Sequence, residues 1–283
     1  MKNFLAFDLG GSSIKYGVYD EVGKTICHGG EAQGHRMDLK KIMESIDTIV
    51  QKYPDISGIG ISVPGLINKN TKIISYGGAI EALHDVDLRR MLKDKYNLPV
   101  EIENDANCAA LAEYWIGAGR GCENIICITI GTGIGGGLVL NGKLYRGSHN
   151  FAGEFGLIFT HGDGKENFGY AATGKLLERA SAADRGIKNG KDFFSALSNP
   201  DIMEIYWDWI DKLAKGVYGL CIALDPDKVL LGGGVSARKE IYGDIMKVID
   251  EIAYYPYEWV VEPCTFGNDA GKIGAVYNLL QTI

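Results

Sequence analysis

The sequence predicts an α/β protein of two domains, each a mixed β-sheet flanked by helices, and three observations carry that expectation. The first is a pair of glycine-rich hairpins, Phe7-Asp8-Leu9-Gly10-Gly11-Ser12-Ser13-Ile14-Lys15-Tyr16-Gly17-Val18 and Ile128-Thr129-Ile130-Gly131-Thr132-Gly133-Ile134-Gly135-Gly136-Gly137-Leu138-Val139. Each reads as an apolar strand, a turn of small residues and a second alternating strand. They align with Asp8 over Thr129 and Gly10 over Gly131, as a duplicated domain would. The second observation is the alternation of strand and helix patterns along the rest of the chain. The third is length: 283 residues suffice for two domains of ordinary size. The break is expected near 117–122, giving domains 1–117 and 118–269, with a terminal helix within 270–283 crossing back to the first.

The elements follow in order. Strand 4–9 pairs with 13–20, and a third strand lies around 24–30. Leu39, Ile42, Met43, Ile46, Ile49 and Val50 repeat at helical spacing and predict a helix over 38–52. Strand 58–63 stops at Pro64-Gly65, a turn signal. A helix over 87–96 leads to strand 99–103, and Asn104-Asp105 opens a helix that ends at Gly117, read as a C′ glycine. Strands 125–130 and 135–140 repeat the opening hairpin, and Asn141-Gly142 makes the next turn. Residues 160–170 are a polar loop. A helical region over 172–224 is interrupted near 186–190 and 198–200. Strand 229–235 runs into Gly232-Gly233-Gly234, a helix starts near 238, and the last helix covers 270–280.

Composition narrows the function. The net charge of −7 argues against nucleic acid as a partner. Glycine is used 39 times, about twice the average frequency, and the excess sits in loops between apolar strands. The six cysteines form no C-x-x-C pair and read as small buried hydrophobes of a reducing compartment. The first strand begins near the N-terminus without a secretory pattern, and no apolar run reaches the ~18 residues of a membrane span, so the expectation is cytoplasmic.

The glycine loops suit phosphates, because small residues let anionic oxygens touch backbone N–H groups. Gly131-x-Gly133-x-x-Gly136 has dinucleotide-fingerprint spacing, but it leads into a strand where that fingerprint needs a helix. No P-loop motif occurs. Two readings are open for Asp8 at the end of its strand: a contact to Mg²⁺ at nucleotide phosphates, direct or through water, or a turn residue bonding backbone N–H groups. Lys15 is either a phosphate contact or a solvated strand lysine. Asn104 and Asp105 are each ordinary helix caps. An Asp at a helix start is also held as a carboxylate, as a general base for phosphoryl transfer must be. Asn104 can donate and accept, as a sugar diol requires.

These pieces, in this order, resemble the ROK family of sugar kinases and repressors within the actin-like ATPase (ribonuclease H-like) superfamily. The marks are Asp8 to Lys15, Gly60-Ile61-Ser62-Val63-Pro64-Gly65, Glu103 to Asn107, Gly131 to Gly137, Gly153-Glu154-Phe155-Gly156 and Leu231-Gly232-Gly233-Gly234-Val235. The resemblance implies an active site in the cleft between the two domains. It implies ATP and Mg²⁺, with Gly10, Gly11, Ser12, Ser13, Thr132 and Gly133 facing the phosphates and Gly232, Gly233 and Gly234 on the adenosine side. Gly65, Asn104, Asp105 and Glu154 would bind the sugar, Asp105 activating its hydroxyl. A homodimer is implied too, for which the aromatic stretches 206–209 and 254–257 are interface candidates, although aromatics at such spacings more often build a core.

Two departures stand out. Members that follow Glu-x-Gly with a His zinc ligand differ here, where Leu157 holds that position and His161 to Tyr170 contains no cysteine. No structural zinc is expected, and His161 reads as a loop residue. With seven residues before Asp8, a repressor's helix-turn-helix is not expected. Ile73 to Ile80, next to the Pro-Gly loop, resembles zinc-free β-glucoside kinases, while Ala171-Ala172-Thr173 is shared with zinc-free N-acetylmannosamine kinases. The expectation is phosphorylation of the 6-hydroxyl of a β-glucoside or glucose. N-acetylmannosamine is the alternative acceptor, and a non-catalytic sugar or nucleotide sensor or an actin-like ATPase the alternatives of another class.

Overall fold

The computed structural model describes residues 2–11, 13–33, 38–160 and 166–283, with only the backbone for 31–33. The first half holds strands β1 (Asn3–Leu9), β2 (Ser13–Asp20), β3 (Thr25–Gln33), β4 (Ile56–Val63), β5 (Leu66–Ile67), β6 (Ile74–Tyr76) and β7 (Val100–Asn104). Its helices are α1 (Leu39–Val50), α2 (Leu88–Tyr96) and α3 (Asp105–Ile116). The second half holds β8 (Ile125–Ile130), β9 (Ile134–Leu140), β10 (Lys143–Leu144), β11 (Lys228–Gly232) and β12 (Val260–Pro263), with helices α4 (Thr173–Ala183), α5 (Gly190–Ser195), α6 (Pro200–Leu224), α7 (Glu240–Ile252) and α8 (Ala270–Leu280).

The two halves repeat one topology. The sheets run β3-β2-β1-β4-β7 and β10-β9-β8-β11-β12. In each, two antiparallel pairings are followed by two parallel ones. The duplication read from the hairpins is therefore a duplication of whole sheets. β5 and β6 form a small separate hairpin.

Alternation along β1 shows how the core is divided. Leu5, Phe7 and Leu9 pack with Ile42, Ile46 and Ile49 of α1. Phe4 and Ala6 face the other way, onto Ala109, Ala110 and Ala112 of α3 and Val276 of α8. Asp8 continues this second set, at the strand end. On β8 the same rule sends Ile126, Ile128 and Ile130 into the core of the second half.

The terminal helix α8 leaves the second half and packs on β1, β4, β7 and α3. Its contact with α3 is backbone to backbone: a Cβ on Gly274 would lie 1.8 Å from the Cys108 carbonyl oxygen. A side chain there would push the helices apart. Two helices thus run back to back between the sheets, and the N-terminus of α3 opens into the space between them.

Corrections to the sequence reading are local. Gly117 does not take the left-handed conformation of a C′ glycine, its φ being −102°. What excludes a side chain is Glu113, whose Oε2 would sit 2.3 Å from the added Cβ. The Asn141-Gly142 turn has the expected positive φ at both residues, 51° and 72°. Tyr206 and Trp209 are core residues, with Trp209 Nε1 donating to the Ala171 carbonyl at 2.7 Å. All six cysteines are free. His161 lies outside the described residues, and no helix among those described is long and apolar enough to cross a membrane.

Candidate active site

The site assembles where β7 gives way to α3. Asn104 caps the helix, its Oδ1 accepting from the N–H groups of Ala106 at 2.9 Å and Asn107 at 3.1 Å. Its Nδ2 donates to the Gly65 carbonyl at 3.0 Å. The capping reading is thus correct for Asn104. The same side chain also ties the helix start to the Pro64-Gly65 turn, and one N–H of its amide is left over. Gly65 has φ of +91°, and a Cβ there would meet the Tyr76 carbonyl oxygen at 2.0 Å. Only glycine fits that turn.

Asp105 is the first residue of α3. Its Oδ1 accepts from the Ala106 N–H at 2.8 Å. The side chain opens into a cavity of about 300 Å³, at the small end of the range for small-molecule sites. Gly65, Leu66, Tyr76 and Asn104 line it from the first half, and Gly135, Gly136, Phe151, Glu154 and Leu157 from the second. Asp105 is exposed where it lines the cavity, yet the mass of protein around its carboxyl pushes the pKa up to about 6. Lost hydration is the chief cause, opposed by the Ala106 N–H and reinforced by the negative charges of Asp8 and Glu154. Burial also raises the Glu154 carboxyl.

Asp8 stands at the sheet end facing α3 and α8. Ser62 Oγ donates to its Oδ1 at 2.6 Å. A Cβ on Gly271, in the first turn of α8, would lie 2.7 Å from that oxygen, so only glycine leaves room for the carboxylate. Lys15 is directly opposite Asp8 in the β1–β2 register, and Ser62 directly opposite in β1–β4. Directly paired residues share a face, so a polar row crosses the end of this sheet.

The phosphate-loop candidates fall into two groups. Gly10 donates to the Ser13 carbonyl at 2.8 Å, and Gly11 packs on Ala79. Ser13 is buried as the first residue of β2, and Ser12 lies outside the described residues. In the second half, the Thr132-Gly133 turn ends β8, and Gly232 pairs with Thr129. The Gly232-Gly233-Gly234 turn therefore lies beside the Thr132-Gly133 turn. A Cβ on Gly233 would fall 2.1 Å from the Ile130 carbonyl oxygen.

Sequence reasoning missed Ser62, Phe151 and Arg146. Arg146 Nε donates to Glu103 Oε2 at 2.7 Å, directly behind the Asn104-Asp105 pair. No local pattern marks it, because its partners come from β7 and α8. Leu157, noted as standing in a His position, does line the cavity.

The ROK family model matches residues 4–282. A β-glucoside kinase of Listeria monocytogenes is 34% identical over 288 residues, covering 98% of this chain and 97% of the relative. A ROK family protein from Streptococcus pneumoniae, solved in complex with sucrose, superposes with a TM-score of 0.91 at 30% identity and covers 99% of this chain and 98% of its own. A ROK family glucokinase from Streptomyces griseus, solved with glucose and AMPPNP, gives a TM-score of 0.81 at 27% identity, covering 96% and 97%.

Proposed function

The chain belongs to the ROK family and is a sugar kinase, and we propose that it transfers the γ-phosphoryl group of ATP to the 6-hydroxyl of glucose or a β-glucoside. One observation carries this reading: a carboxylate with a raised pKa, Asp105, at a sugar-sized cavity between two duplicated sheets. A carboxyl near 6 is ionised at neutral pH yet more basic than an ordinary Asp, which suits a general base. In the proposed reaction Asp105 accepts the proton of the sugar hydroxyl as that hydroxyl's oxygen bonds to the γ-phosphorus, and the bond from that phosphorus to the β–γ bridging oxygen breaks to release ADP. Asn104 offers its remaining amide N–H to a hydroxyl, Glu154 accepts from others, and the Gly65 turn supplies the wall.

The glycine loops hold the nucleotide in the same reading. Gly11, Ser13, Thr132 and Gly133 border the phosphates, Gly10 closes their turn by donating to the Ser13 carbonyl, Lys15 adds charge, and Gly232, Gly233 and Gly234 lie toward the nucleoside. Asp8 and Glu154 both repel Asp105, so a polyphosphate arriving alone would meet a negative floor. That fits a Mg²⁺ at Asp8, direct or through water, since Mg²⁺ keeps several waters and needs few protein ligands. When bound, the ion would neutralise developing charge on the phosphoryl oxygens. Residues 1–117 with 270–283, and 118–269, are read as two domains that close over the substrates and exclude water as a competing acceptor. The exposed Tyr254 and Tyr255 support pairing of two copies.

The preference for β-glucosides rests on the listerial relative, and a sugar panel tests it. ADP release with Mg-ATP is measured against glucose, cellobiose, an aryl β-glucoside, N-acetylmannosamine, N-acetylglucosamine and fructose. Stimulation by glucose or the glucosides is expected. Stimulation by N-acetylmannosamine alone would replace the acceptor, and flat release across the panel would favour a sensor.

A further inference from the structure

Beyond Tyr76 lies a second recess, of about 640 Å³, lined by Tyr76, Gly77, Gly78, Glu81 and His84. Tyr76 is the residue it shares with the Asp105 cavity. Tyr76 therefore borders both recesses, which are neighbours. We propose that this recess is a second acceptor subsite, which binds a six-membered ring carried on the anomeric oxygen of the sugar being phosphorylated.

The chemistry of the walls fits such a ring. Tyr76 is 57% exposed, and its ring meets the His84 ring edge-on at a centroid distance of 6.4 Å. An aromatic face held in place by a second ring offers a flat apolar surface to the C–H face of a pyranose or to a phenyl ring. Glu81 and His84 add hydrogen-bonding groups at the rim, where hydroxyls of a second sugar would project. Gly77 and Gly78 give the recess a wall of bare backbone, packed too closely on the neighbouring loop for a side chain: a Cβ on Gly77 would lie 2.2 Å from the Ile80 carbonyl oxygen, and one on Gly78 2.9 Å from the Gly65 nitrogen.

The first cavity, at about 300 Å³, is less than half the volume of the second. A free hexose would leave the larger recess unused; a disaccharide or aryl glucoside would use both. This inference rests on the proposed kinase reading, with the reacting hydroxyl at Asp105.

Steady-state kinetics on glucose, cellobiose and 4-nitrophenyl β-glucoside test it, with His84→Ala, Glu81→Ala and the double variant, each checked for an unchanged Tm. These two residues line the second recess and not the first. The expected result is a tenfold or greater rise in KM for one or both glucosides in the double variant, with kcat and the KM for glucose within about twofold. A rise for cellobiose alone identifies a second pyranose as the ring bound, and one for the nitrophenyl compound alone an aryl group. Unchanged KM for both glucosides overturns the subsite, as does a wild-type enzyme that phosphorylates glucose but neither glucoside. Failure to phosphorylate any sugar would instead overturn the kinase reading.

Discussion

Glu103 and Arg146 form an ion pair between the two halves of the molecule, with Arg146 Nε donating to Glu103 Oε2 at 2.7 Å. Glu103 is on β7 of the first sheet, and Arg146 follows β10 of the second. The other carboxylate oxygen accepts from the Asn104 N–H at 2.9 Å and from Asn107 Nδ2 at 3.0 Å. Arg146 Nη2 donates to Asn278 Oδ1 at 3.0 Å, which adds α8 to the network. The residue preceding the Asn104-Asp105 pair is therefore fixed from three directions.

Removing Arg146 leaves Glu103, 6% exposed, as a buried charge without its partner. Such losses cost about 3–5 kcal/mol. Because Arg146 itself keeps 28% of its side-chain surface, Arg146→Ala is expected at the low end of that range. Urea denaturation checks the value, and a loss below about 1 kcal/mol would show that the pair does not hold the halves together. Glu103→Gln should be milder, since its amide removes the buried charge.

Asn104 has two separable tasks. Asn104→Ala removes the cap, expected to cost about 1 kcal/mol, together with the hold on Gly65. Asn104→Asp keeps a capping oxygen but loses the donor to the Gly65 carbonyl. The alanine variant should lower stability and raise the KM for sugar. The aspartate variant should raise KM with little change in Tm. Equal Tm losses in both would place the stabilising contact at Gly65 instead of the cap.

The raised carboxyl of Asp105 predicts a pH limb. The proposed base is active when ionised, so log(kcat/KM) for sugar should rise with unit slope below pH 6 and level off above it. An inflection near 4 would mean that an ordinary carboxylate is responsible. Initial rates from pH 4.5 to 8 at constant ionic strength decide this.

The same shift bears on stability. A carboxyl whose folded pKa, about 6, exceeds its unfolded value of about 3.9 imposes a penalty that is absent below pH 4. The penalty grows as pH rises and is complete above 6. Asp105→Asn should accordingly gain Tm relative to wild type at pH 7.5 compared with pH 4. A Tm difference independent of pH would show that the carboxyl is not perturbed in the native state.

Much of this was legible in the sequence because it is local or periodic. The hairpins carried their duplication at fixed offset, and the α3 start announced itself as Asn104-Asp105 after an apolar strand. β12 was not read: Pro256 and Pro263 frame the segment as loop, and its strand character comes from pairing with β11 at a sheet edge. Gly117 was read by helix-stop rules, yet its role belongs to Glu113. That buried carboxylate accepts from the N–H groups of Ala118, Thr265 and Phe266, contacts separated by up to 153 residues. Ser62 and Arg146 escaped for the same reason. Each becomes part of the site only when strands distant in sequence are laid side by side.

The central claim is that Asp105 takes the proton of the acceptor hydroxyl, and Asp105→Asn tests it most directly. ADP release with Mg-ATP and glucose or cellobiose should fall by a factor of about 10²–10⁴, the usual contribution of a positioned base, while titrations show nucleotide and sugar still binding. Turnover at the wild-type rate in this variant, with the fold intact, would contradict the account.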